Sequence, residues 1–73
     1  MKLQVESYSG HKVDERPIKF TVADRVLFVE SIDEQWYGPN AMYFRLRADD
    51  GKTYVIAHHN TGDEWTLESS HSN

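Results

Sequence analysis

A chain of 73 residues has room for one small domain, and at that size folding buries only about 60% of the surface the unfolded chain exposes. The absence of cysteine excludes a disulfide framework, a thiolate metal centre and a thiol nucleophile, so apolar packing must carry the fold. Hydrophobic residues at 38% and aromatics at 12% are enough for a core, and a net charge of -4 opposes the phosphate attraction behind most non-specific nucleic-acid affinity.

Met1 to Gly10 lacks the continuous apolar run of a signal peptide, and no apolar run approaches the roughly 20 residues of a membrane helix. A cytoplasmic protein without membrane contact is expected. Eight of the twelve acids fall in the doublets Asp14-Glu15, Asp33-Glu34, Asp49-Asp50 and Asp63-Glu64. Each doublet marks a break in the hydrophobic pattern.

Period-2 alternation rich in Val, Ile, Phe, Tyr and Thr predicts strands throughout. Leu3 and Val5 give one face of a first strand, and a polar loop runs from Ser9 to Arg16. Pro17 opens a second strand in which Ile18, Phe20 and Val22 alternate with Lys19 and Thr21. Ala23-Asp24 is a tight turn. The third strand runs from Arg25 to about Ile32; Leu27 and Val29 share a face, and a bulge near Glu30–Ser31 brings Ile32 back into phase.

A loop is expected from Glu34 to Asn40. Ser31 and Glu34 also have capping-box spacing, so one short helical turn from Ser31 to Trp36 is an alternative. The fourth strand, Met42 to Ala48, points Phe44 and Leu46 one way and Tyr43, Arg45 and Arg47 the other. Asp49-Asp50-Gly51, read as a three-residue loop, sets Leu46 opposite Tyr54 and Phe44 opposite Ile56, whereas a two-residue turn sets Tyr54 opposite Arg47. The first keeps the large apolar groups together. A loop over Asn60, Thr61, Gly62 and Asp63 likewise sets His58 opposite Trp65 and Ile56 opposite Leu67.

The inward set is then Leu3, Val5, Ile18, Phe20, Leu27, Val29, Ile32, Phe44, Leu46, Tyr54, Ile56, Trp65 and Leu67. The predicted fold is an all-β antiparallel meander of five to six strands, closing into an SH3-like or half-open barrel so that edges are not left unpaired. It forms a single domain over 1–68. Residues 69–73, without an apolar anchor, are expected to be a disordered tail.

The segments Glu15-Arg16-Pro17, Trp36-Tyr37-Gly38-Pro39, Tyr43-Phe44 and Asp49-Asp50-Gly51-Lys52-Thr53-Tyr54 together resemble a family of short bacterial proteins with no assigned activity. The resemblance covers roughly Ser9 to Leu67. It implies a self-contained bacterial domain and carries over no functional residue.

The four histidines, His11, His58, His59 and His71, do not suggest a metal centre, because adjacent His58 and His59 on a strand face opposite ways. Asp49-Asp50-Gly51 lacks the alternating ligands of a calcium loop, and no nucleophile elbow or phosphate-cradling loop is present. Neither a cofactor, a metal nor an enzymatic activity is expected. Surplus aromatics remain: Tyr8, Trp36, Tyr37 and Tyr43 are not demanded by the core.

Tyr37 and Tyr43, buttressed by Trp36 and extended by Arg45 and Arg47, therefore form the candidate partner-binding surface. The bland alternative has Trp36 plugging a barrel end while the tyrosines cover its rim. The leading expectation is a non-catalytic module that binds a protein partner or itself. Single-stranded nucleic-acid binding on Lys19, Tyr43, Arg45 and Arg47 is the second reading, and a metal-dependent enzyme is the third.

Overall fold

The computed structural model describes residues 2–8, 16–62 and 64–72. Six strands follow in chain order: β1 Lys2–Tyr8, β2 Arg16–Val22, β3 Arg25–Tyr37, β4 Ala41–Ala48, β5 Lys52–His59 and β6 Trp65–Ser72. Every neighbouring pair is antiparallel and β6 returns to β1, so the meander closes into a small barrel. Among the described residues there is no helix, and so none long and apolar enough to cross a membrane. The loop predicted from Ser9, with His11 inside it, lies outside the described residues up to Glu15, as do Asp63 and Asn73.

The turns set the registers. Val22 pairs with Arg25, and between them Ala23 and Asp24 both have positive φ, 49° and 64°, the backbone of a primed hairpin turn whose twist matches its strands. Gly51, at φ 82°, closes the three-residue loop by donating its N–H to the Ala48 carbonyl at 3.0 Å. Leu46 therefore faces Tyr54 and Phe44 faces Ile56, and His58 faces Trp65 across the last hairpin, as the hydrophobic pattern requires.

Phe44, Leu46 and Ile56 are completely buried. Every residue of the predicted inward set except Ile18 lies in the core or packs against it. Ile18 is the correction: Glu6 pairs with Lys19 and Ser7 with Pro17, so Ile18 is an extra residue in a bulge. The bulge reverses the phase, burying Pro17 and leaving Ile18 45% exposed.

β3 carries the bulge expected near Glu30, between the pairs Val29–Ala48 and Ser31–Arg47, and a second at Asp33. Each extra residue restores the pairing phase, and β3 runs on to Tyr37. The helical turn from Ser31 to Trp36 and the loop beginning at Glu34 are therefore not formed. The capping groups have other partners: the Ser31 hydroxyl donates to Asp33 Oδ1 at 3.1 Å, and Glu34 pairs with Arg45.

The tail expectation is also corrected. β6 continues through Ser72, with Ser69 opposite Val55 and His71 opposite Thr53, so the folded domain passes the predicted limit at residue 68. Main-chain hydrogen bonds to β5 need no apolar anchor, and a bulge at Glu68 keeps these polar residues in register.

Candidate functional site

The β3–β4 hairpin builds the candidate surface. Alternation places Tyr43, Arg45 and Arg47 on the outer face of β4, and their partners across the ladder are Trp36, Glu34 and Ser31. Trp36 and Tyr43 stack, with ring centroids 5.6 Å apart and planes within 11°. The indole is 40% exposed. Arg45 forms an ion pair with Glu34 on the same face, and Arg47, exposed, continues the row.

Gly38 makes the stack possible. Its N–H donates to the Ala41 carbonyl at 2.8 Å, closing the loop, and a Cβ at this position would lie 2.6 Å from Tyr43 Cε2. Only a residue without a side chain lets the tyrosine ring lie against the turn. Asn40 is tied to the neighbouring hairpin, its carbonyl accepting the Asn60 N–H at 2.9 Å, so the hairpin tip is anchored on two sides.

Of the five residues assigned to the surface, Trp36, Tyr43, Arg45 and Arg47 share this wall and Tyr37 does not. Tyr37 pairs with Met42, an inward position, yet is 74% exposed. Among the described residues β2 pairs with β3 from Arg25 to Phe28, so the β3–β4 hairpin runs on past the paired part of β2 on the Tyr37 side. Trp36 stands beside Tyr43 and neither supports it from below nor plugs the barrel. Tyr8 ends β1, and its side chain lies outside what the structure describes.

Sequence reasoning missed a second exposed apolar group. Ile18, Val26 and Phe28 are 45%, 54% and 50% exposed. The Lys19 ammonium sits 5.5 Å from the Phe28 ring centre and 3.0 Å from a Glu6 oxygen. The signal was available for Val26 and Phe28, which alternate with inward Leu27 and Val29. Lys19 thus lies on β2, on the far side of β3 from Arg45 and Arg47.

The histidines are dispersed. His58 stacks on Trp65, centroids 4.1 Å apart and planes within 2°. His59 is half-buried: its Nε2 lies 2.8 Å from Thr66 Oγ1, which donates to Glu68 at 2.8 Å. Among the described residues no three His, Asp or Glu side chains gather as a metal-ligand set.

Turn chemistry accounts for Asp50. Its carboxylate accepts the Lys52 N–H at 3.0 Å and the Tyr54 hydroxyl at 2.6 Å, with Arg25 3.7 Å away. Burial opposes ionisation of Asp50, but these hydrogen bonds and the Arg25 and Lys52 charges together hold its pKa below the ordinary value. Burial, the hydrogen bond to Asp50 and that carboxylate's charge push Tyr54 up to about 12.

The outer wall thus offers a flat aromatic pair, an ion pair and, in Arg47, a guanidinium with no ion pair among the described residues. No family model matches the chain, and no match is found among curated proteins or solved structures.

Proposed function

We propose that this domain is a non-catalytic interaction module whose partner is a protein, bound on the wall formed by Trp36, Tyr43, Arg45 and Arg47. The observation that carries the reading is the exposed Trp36–Tyr43 stack held against Gly38. Aromatic rings ordered before binding lose little conformational entropy on contact, and Trp, Tyr and Arg dominate interface energetics. Tyr37, at the tip, flanks the surface from the other side of the hairpin.

The nucleic-acid reading has less support. It needs a continuous cationic track beside the rings, whereas Lys19 is paired with Glu6 on another strand and Arg45 with Glu34. Capture from a native cell extract on immobilised wild-type protein, compared with Trp36→Ala and Tyr43→Ala, tests the reading. Proteins retained by wild type and lost with both variants support it; identical capture contradicts it. Binding to a single-stranded oligonucleotide with steep salt dependence would favour the nucleic-acid alternative.

A further inference from the structure

The C-terminal part of β6 has a strand on one side only. β5 pairs with it through Ser72, but β1 meets β6 only at Trp65 and Thr66, so among the described residues the other edge of 67–72 is unpaired. β3 has a one-sided stretch too, beyond Phe28, but it is broken by two bulges, at Glu30 and Asp33, with a third acid at Glu34, whereas the β6 edge carries one bulge, at Glu68, and runs unbroken from Ser69 to Ser72. The β6 edge contains neither lysine nor proline.

We infer that this edge pairs antiparallel with β6 of a second copy, about a two-fold axis at Ser70. Residues opposite one another in a sheet must share a face. Ser69 and His71, opposite Val55 and Thr53, are on the outer face, and Ser70, opposite Tyr54, is on the inner. An axis at Ser70 sets Ser69 opposite His71 of the second copy, with faces matched. An axis at His71 would oppose two imidazoles, and one at Ser69 would leave no face-matched pair beside it, setting the outward Glu68 opposite the inward Ser70 and the outward His71 opposite the inward Leu67; the Ser70 axis meets its mismatch only farther out, where the bulged Glu68 falls opposite position 72.

Hydrogen-bonding capacity agrees with this register. The bulge turns Glu68 to the outer face, where Thr66 donates to its carboxylate. Glu68, bulged out beside Ser69, then lies next to the Ser69–His71 pair and within reach of His71 of the second copy, and symmetry repeats the contact. This inference does not rest on the aromatic wall, which is on the β3–β4 hairpin.

Sedimentation equilibrium of the full chain over a range of concentrations tests it. Wild type is expected to approach twice the single-chain mass of 8.5 kDa. His71→Glu sets carboxylates against each other and is expected to weaken association at least about tenfold; Glu68→Lys combined with His71→Glu is expected to restore it. Ser70→Lys, which brings two ammonium groups to the axis at an exposed position, is the second disrupting variant. Tyr43→Ala is expected to leave the dimer unchanged, separating this edge from the partner surface. A single-chain mass at every concentration, or association indifferent to both disrupting variants, overturns the proposal.

Discussion

The Tyr43 ring lies so close to Gly38 that a Cβ there would meet its Cε2 at 2.6 Å, while its neighbour across the ladder, Trp36, stacks on it at 5.6 Å. The turn and the aromatic pair are one device. Gly38→Ala must move the tyrosine ring, and an aromatic pair of this kind contributes about 0.5–1.5 kcal/mol. The expected outcome is a small stability change with loss of the ring-to-ring nuclear Overhauser contacts between Trp36 and Tyr43. Retention of those contacts would show that the ring does not depend on the glycine.

The Ala23-Asp24 turn holds two non-glycine residues at positive φ. Such a conformation costs roughly 1–2 kcal/mol per residue for an ordinary side chain, and Asn-Gly fits it best. Replacing Ala23 with Asn and Asp24 with Gly is expected to raise the urea midpoint, with a gain of about 1 kcal/mol and an unchanged slope.

Tyr54 and Asp50 make stability depend on pH at both extremes. The folded-state pKa of Tyr54 is raised from 10.0 to about 12, so its contribution is complete below 10 and is lost as pH rises through 12. The folded-state pKa of Asp50 is lowered from 3.8, so its contribution is complete above 3.8 and is lost as pH falls through the lower folded value. Thermal midpoints followed across pH should fall in both windows. Tyr54→Phe should remove the alkaline fall.

Core and bulge separate sharply on mutation. Phe44 is completely buried, so Phe44→Ala is expected to cost about 3–5 kcal/mol, enough to unfold a domain of this size. Ile18→Thr, at an exposed bulge, is expected to change stability by less than about 0.5 kcal/mol. Circular dichroism in urea distinguishes the two. A large loss at Ile18 would show that the bulge does not turn it outward.

These contrasts show what the sequence made legible. Hairpin registers were readable because glycine and aspartate fix loop length, and a one-residue slip would expose Phe44 or Ile56. The bulge at Glu30 was readable because Ile32 was visibly out of phase. Ile18 was not, because Ile18, Phe20 and Val22 alternate without fault, and only the pairing of β2 with β1 reveals the extra residue. The strand character of Asp33 to Tyr37 and of Ser69 to Ser72 was hidden for a related reason: Asp33-Glu34-Gln35 and the serine-rich end of the chain interrupt the apolar alternation, and both stretches owe their form to backbone pairing with a neighbour. At the candidate site, the outward alternation of Tyr43, Arg45 and Arg47 was evident, whereas the stacking of Trp36 and the separation of Tyr37 followed from the second bulge at Asp33.

Nuclear magnetic resonance of the isotope-labelled domain in unlabelled native extract tests the partner-binding account most directly. Selective broadening of the Trp36 indole N–H and of the Tyr43, Arg45 and Arg47 amides is expected, abolished by Tyr43→Ala. No broadening, or broadening confined to the wall carrying Ile18, Val26 and Phe28, would contradict it.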